Sequence, residues 1–456
     1  MYHGYILPEK ASMADYVNVG QDYEQMLVSV MQMLVDRFDP SYPFVNTKLS
    51  MLTGFDFSVD DAIRGHDAVY GWIQGRGLEA MAGHASWFQK RGLASSLIPP
   101  LLDMMRLVLD RVCQMWRQNG ERLWFFMLPD GRPYGLSHEG RPEVFTLTPD
   151  MSYGFSDLFA SKGMYAASCC LGGEGAKKES LRYIEAVDDA IWQGRFENDQ
   201  VTLDPKNPVM PAPGRIMHGC FMIHLGTAAM LVLQGNPSGV DMGLRLIRHE
   251  LANYVNLRGR VSYLEEGDMW EAVGEDDLPY RETNAAVLSD PGHALEFVGL
   301  ALKFTGAAKA SGLLDEKQDR EVADFEIVMP TILERNFRNG FLGKGISKAF
   351  DLVSRKPMNT DLPWWNLPET MRAAVFCKKS LAGKREWSMC DEVFRQCHNA
   401  FVGHFVRPDL MAFQTIDASG KPVDVIPATA DADPGYHTGL SMIDVLDAFE
   451  TLYFKP

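Results

Sequence analysis

The sequence lacks most of the short signatures that betray a chemistry at once. Its seven cysteines (Cys113, Cys169, Cys170, Cys220, Cys377, Cys390, Cys397) are odd in number and include no C-x-x-C pair. A disulfide scaffold and a cysteine-built zinc site are therefore not expected, and with no signal peptide the chain reads as a cytoplasmic protein with reduced thiols. H-E-x-x-H, G-x-x-x-x-G-K-[ST] and G-x-S-x-G are all missing; "GGEGAKKES" is rich in glycine but lacks the spacing that cradles phosphates. No apolar run is long enough to span a bilayer, and the best candidate, "CFMIHLGTAAMLVLQG", is interrupted by His224 and reads as a buried helix. Positive charge is in deficit, with 44 Lys and Arg against 60 Asp and Glu and a net charge of −16. That balance argues against nucleic acid and anionic membranes as partners.

What is present is a large, apolar, helix-patterned chain. Its 456 residues are 46% hydrophobic and 23% charged, enough to bury a sizeable core. Helical periodicity marks Tyr23–Phe38, Ala68–Phe88, Ile98–Trp116, Tyr153–Cys170 and a further eight stretches. No βαβ alternation and no linker rich in proline, serine or charge divides them, so residues 1–456 read as one catalytic domain. Repeated helical hairpins, several apolar around most of their circumference, predict an all-α (α/α)₆ barrel of six inner and six outer helices. Short β-hairpins such as "RLWFFMLPDGRP" are expected in its loops. An open α-solenoid is the alternative, but it would need polar terminal caps that the sequence does not offer.

Two stretches concentrate the chemistry. In "DPGHALEF", Asp290 suits a helix N-cap and Pro291 the first helical position, which puts His293 in the first turn and Glu296 one turn on. "DADPGYHTGL" repeats the opening at Asp433, Pro434 and Gly435 and delivers His437 in the same way. A helix N-terminus disfavours an imidazolium, so two neutral, basic rings are expected, suited to moving protons on a substrate. Arg76 sits in an apolar, glycine-containing helix and needs either a structural carboxylate or a polar ligand. Trp364 and Trp365, followed by Glu369, offer either packing or flat faces for a sugar ring. His218 and His224 are six apart and cannot share a helical face; one of them is expected to be a core histidine. His293 and Glu296 have an i, i+3 spacing known from metal sites, but no matching second motif accompanies them, so no metal is expected.

Taken in order, "GRG" at Arg76, "RLWFFMLPDGRP", "PGHALE", "WWNLPE" and "GYHTG" resemble the N-acylglucosamine 2-epimerase family, which includes cellobiose 2-epimerases and mannose and sulfoquinovose isomerases. The resemblance covers nearly the whole chain. It implies an (α/α)₆ barrel whose funnel binds an open-chain aldose, with His293 and His437 as the acid/base pair at C2 and a cis-enediolate intermediate. It also implies that Arg76 steadies the enediolate, that Glu296 orients His293, and that Glu369 holds a sugar hydroxyl or a second ring. His218 and Tyr153 would line the pocket, with Trp364 and Trp365 as its walls. No metal or redox cofactor is called for; the partner is a small mono- or disaccharide, and the protein a monomer or homodimer. The outcome would be a 2-epimer or, by reprotonation at C1, a ketose; a glycoside hydrolase or lyase on the same barrel is the third reading. The family's WWPQAE stands here with Leu367 in place of glutamine, and Gly214 replaces an asparagine common in disaccharide epimerases. Both departures lie where relatives meet their sugar.

Overall fold

The computed structural model describes residues 2–201, 203, 206, 212–381 and 388–454. Its helices are α1 (Met13–Arg37), α2 (Gly71–Arg91), α3 (Ile98–Gln118), α4 (Phe155–Leu171), α5 (Glu174–Trp192), α6 (Gly219–Leu233), α7 (Ser238–Asn253), α8 (Pro291–Ser311), α9 (Glu316–Gly340), α10 (Asn366–Ser380), α11 (Ser388–His404) and α12 (Ser441–Phe449). The even-numbered helices pack on one another in sequence, and the turn that opens α12 packs back on α2 to close the ring. The odd-numbered helices pack outside it, α3 on α2, α5 on α4, α7 on α6, α9 on α8, α11 on α10 and α1 on α12. This is the (α/α)₆ barrel expected from the periodicity.

Burial follows the two roles. Outer α3 buries Leu101, Met104, Met105, Val108, Leu109, Val112, Cys113, Met115 and Trp116, a stripe at helical spacing. Inner α4 is buried without a break from Ser156 to Ser168, because it has neighbours on every side. Inner helices must also come close to fit six around one axis. At the α2–α4 contact, a Cβ on Gly75 would collide with the backbone of Phe159 and Ala160, and one on Gly163 with that of Gly75. Only glycine permits that approach, and it presses the neighbouring Arg76 against α4.

Helix starts match the sequence in one case and differ in others. Asp290 caps α8, its carboxylate accepting from the N–H groups of Gly292 (3.0 Å) and His293 (3.4 Å), with Pro291 in the first turn. The second Asp-Pro-Gly does not place proline inside a helix. Gly435 adopts φ +89°, and Tyr436–Leu440 form a wide π-turn before α12. Asp433 holds that turn by accepting from the N–H groups of Tyr436 and Thr438, both at 2.8 Å. Helix α1 begins at Met13, ahead of Tyr23, with Ser12 and Asp15 forming a capping box. Helix α4 begins after Tyr153, not at it.

Short antiparallel strands fill the loops at the end where the inner helices begin. They are β1 (Val69–Tyr70), β2 (Phe126–Met127), β3 (Pro133–Leu136), β4 (Pro142–Val144), β5 (Ile216–Met217), β6 (Ala272–Val273), β7 (Leu288–Ser289), β8 (Ala349–Asp351), β9 (Lys356–Asn359), β10 (Leu362–Pro363) and β11 (Thr415–Ile416). The β2–β3 pair is the hairpin read in "RLWFFMLPDGRP", with Phe126 opposite Tyr134. Strands β1, β5, β7 and β10 each lead directly into an inner helix, so strand pairing fixes where those helices start. Among the described residues, no helix is long and apolar enough to cross a membrane.

Candidate active site

The N-terminal ends of the inner helices converge on a cavity of about 730 Å³. Its lining includes Arg76 from α2, Phe159 from α4, His293 and Glu296 from α8, Trp364 and Trp365 from the start of α10, and His437 from the π-turn. The two Asp-Pro-Gly histidines, more than a hundred residues apart in sequence, thus share one chamber. Trp365 lies between them, its ring 5.4 Å from that of His293 and 5.5 Å from that of His437. Trp364 packs edge-on to His437 at 6.2 Å, and its indole N–H donates to Thr438 Oγ1 at 3.2 Å.

Each histidine is held through Nδ1 by a buried carboxylate. His293 Nδ1 meets Glu271 Oε1 at 2.9 Å, and His437 Nδ1 meets Glu369 Oε1 at 3.0 Å. Neither Nε2 has a hydrogen-bond partner among the described residues, which leaves both for the cavity. This favours the tautomer in which Nδ1 donates to the carboxylate and Nε2 is left bare. Burial opposes charge on His293, but Asp290 and Glu271 outweigh it and raise its pKa. The expectation of a neutral ring at a helix N-terminus is therefore corrected for His293: carboxylates from other elements override the dipole.

The partner of His293 is also corrected. Glu296 does not hydrogen-bond it; Glu271 does, and the sequence reading missed that residue. Glu271 stands immediately before β6, where the β5–β6 pairing sets Met217 opposite Ala272. Its backbone accepts from the N–H of His218 and its own N–H donates to Leu288, next to the start of α8. Burial opposes the charge of Glu271, yet His293 and His218 hold its pKa well below the usual carboxylate range. Glu369 is likewise held low, burial being outweighed by Arg372 and His437. It therefore supports His437 and pairs with Arg372 rather than presenting itself to a sugar in this cavity.

His218 and Tyr153 lie elsewhere than expected. His218 is 1% exposed and sits behind the cavity wall, its Nδ1 3.4 Å from Glu250 and its Nε2 3.3 Å from Glu271. Burial opposes its charge, but the two carboxylates raise its pKa to about 10. It is an imidazolium that keeps Glu271 anionic, not a pocket donor. Tyr153 is outside the cavity lining: its ring lies 3.9 Å under the Arg122 guanidinium, and its backbone bonds to Arg195 and Glu197. His224, paired with Asp188 at 3.4 Å, is the core histidine of the two considered. Leu367 is fully buried, and Gly214 lies in a turn with φ +70°; neither lines the cavity.

Arg76 differs from the other buried arginines. Arg122 is held by Asp157 and Arg372 by Glu369, whereas Arg76 has no carboxylate and no hydrogen-bond acceptor among the described residues. It is 8% exposed, and its guanidinium lies against Phe159 (4.2 Å), Trp72 (5.2 Å) and Tyr436 (5.3 Å). Burial pulls its pKa down. A cation left this way in a cavity wall is poised for an oxygen of a ligand.

Two sets, His218–Glu271–His293 and Glu296–Glu369–His437, bring their donor atoms within 4.8 Å. Both are already cross-linked by the imidazole–carboxylate contacts above, and Arg372 places a cation on the second. Cys220 lines the cavity, but burial pushes its thiol up to about 12, which leaves no ready nucleophile.

No family profile and no curated protein sequence matches the chain. Solved structures do. A sugar epimerase from a ruminal bacterium superposes with a TM-score of 0.65 at 11% identity, over 94% of this chain and 98% of its own. Cellobiose 2-epimerase from Spirochaeta thermophila gives 0.65 at 13%, over 95% and 98%. A D-mannose isomerase gives 0.59 at 13%, over 91% and 97%. This chain shares their (α/α)₆-barrel fold. At such identities the likeness is one of architecture, and the chemistry must be argued from the side chains.

Proposed function

We propose that the protein is a cofactor-independent carbohydrate isomerase that moves a proton at C2 of an open-chain aldose, in the first place a 2-epimerase. The observation that carries this reading is the chamber itself: two imidazoles, each fixed at Nδ1 by a buried carboxylate and free at Nε2, facing an unpaired buried arginine. His293, whose pKa is raised, enters as the proton donor, and His437 takes the C2 proton as base. The cis-enediolate that forms carries its charge on O1 and O2. Arg76, already desolvated and without a competing carboxylate, is preorganised to stabilise it. Donation to C2 from the opposite face gives the epimer, and donation at C1 gives the ketose. The solved structures that share this fold include proteins described as a cellobiose 2-epimerase and a D-mannose isomerase, which supports this choice of chemistry.

A glycosidase reading would need two carboxyl groups across the scissile bond in the same chamber. Glu197, Glu271 and Glu296 line the chamber, but Glu271 is engaged by His293 at 2.9 Å and His218 at 3.3 Å, and Glu369 lies outside the lining, bound to Arg372 and His437. The test is proton NMR in heavy water with glucose, mannose, N-acetylglucosamine, N-acetylmannosamine and cellobiose. Deuterium at C2 of an aldose pair is the expected result, and His437→Ala or His293→Ala should slow it on the order of 10²-fold or more. A ketose product would assign the isomerase form. Full turnover in either alanine variant would overturn the two-histidine mechanism.

A further inference from the structure

A second cavity, of about 460 Å³, enters the barrel from the other end. It is walled by the far ends of the inner helices, reaching Gln89 on α2, Cys170 on α4 and Leu233 on α6. Glu369, Arg372 and Tyr436 form part of its floor. Its cations are all engaged: Lys162 with Glu79 at 2.8 Å, Lys303 with Asp444 at 2.7 Å, and Arg372 with Glu369. The cavity therefore offers no spare charge to an anionic ligand. What it offers is a polar approach to the back of the reaction chamber.

Glu296 is the residue common to both cavities. It is 4% exposed and makes no hydrogen bond to another described residue. A buried carboxyl with no partner is costly if its role is structural. One of its carboxyl oxygens, one of Glu369's and one ring nitrogen of His437 lie within 4.8 Å of one another. Burial and the neighbouring Glu369 carboxylate raise its pKa, against the pull of His437, His293 and Arg372. Glu79, Lys162, Lys303, Cys169, Cys170 and Tyr436 are the other ionisable groups on the rear side.

We propose that the rear cavity is a solvent port for protons and that Glu296 passes them between that port and the two histidines. The proposal rests on the two-histidine reading. Each turnover leaves the pair reversed, with one ring holding the proton taken from carbon and the other having given its proton up. Resetting them takes one proton off the first ring and puts one on the second. The Glu296 carboxylic acid gives its O–H proton to the bare ring nitrogen. The carboxylate that remains takes up the proton of the charged ring, directly or after exchange with water in the rear cavity. The enzyme's proton count is unchanged over the cycle. A sugar filling the front chamber blocks solvent on that side, so the exchange runs through the back.

The experiment is chemical rescue, read as C2 deuterium exchange and kcat in heavy water with the aldose the wild type uses. Glu296→Gln should lower kcat on the order of 10²-fold with little change in KM. Formate should restore turnover to Glu296→Ala, and adding Ala166→Leu, which fills the rear cavity, should abolish that rescue. Ser86→Trp at the rear mouth gives a second plug, and thermal melting checks that each variant is folded. Equal rescue in the folded plugged variants, or a Glu296→Gln enzyme with wild-type kcat, overturns the port while leaving the histidine mechanism standing. Absence of C2 exchange in the wild type with every sugar overturns both.

Discussion

The charge on His218 offers a direct measurement of the electrostatics built behind the chamber. Its ring is buried between Glu250 and Glu271, and its pKa stands at about 10 against an ordinary 6.5. At about 1.4 kcal/mol per pH unit, that interval corresponds to roughly 5 kcal/mol of linkage. The native pKa is raised, so this stability is fully present below pH 6.5 and is lost as pH rises towards 10. From pH 6.5 to 8 the native state's proton excess over the unfolded chain at this residue rises from about a half to about one, and the unfolding free energy should fall by roughly 1.6 kcal/mol. Nitrogen-15 NMR of the imidazoles, with His218 assigned through His218→Gln, should find both its nitrogens protonated at pH 8. Urea unfolding at the two pH values should show the matching loss. A His218 signal titrating between pH 6 and 7 would refute the account, and with it the claim that an imidazolium keeps Glu271 anionic for His293.

Arg76→Lys should cut kcat/KM on the order of 10-fold or more in steady-state assays, because an ammonium cannot reproduce the planar fork that the proposed mechanism sets against the enediolate oxygens. Tyr153→Phe should leave kcat and KM within error of the wild type, since its ring packs under Arg122 outside the cavity. On the acid side, His84 and His398 are buried and held down to about 4, chiefly by burial. Each must charge as the protein unfolds, so urea titrations from pH 6.5 down to 4 should show stability falling by about 3 kcal/mol per residue.

How far the site can be read from the sequence depends on how local each signal is. The Asp290 cap, the proline after it and the periodicity of α8 lie within a few residues of one another, and His293 could be placed from them alone. His437 was placed by the same local pattern, although its turn is wider than an α-helical one because Gly435 takes a left-handed conformation. Glu271 carries no such signal. It lies in a long loop without periodicity and reaches His293 only because β5 and β6 pair and its backbone bonds to Leu288. Glu296 was given the role of Glu271 because i, i+3 spacing puts it on the same face of α8. One turn along the barrel axis takes it past His293 and towards the rear cavity. Tyr153 was read as part of α4 from the apolar pattern that follows it, whereas the helix starts at Phe155 and leaves the ring on the outside.

Trp365 packs between the two rings proposed to exchange protons, within 5.5 Å of each, and the Lys348 ammonium lies 5.7 Å from it. An indole face feels a cation far more strongly than a neutral ring. Its fluorescence therefore reports the state of the histidines without any label. In a variant stripped of the other tryptophans near the chamber, stopped-flow emission would follow sugar entry and the reset of the bases as separate phases. The residue that walls the pocket would double as its optical probe.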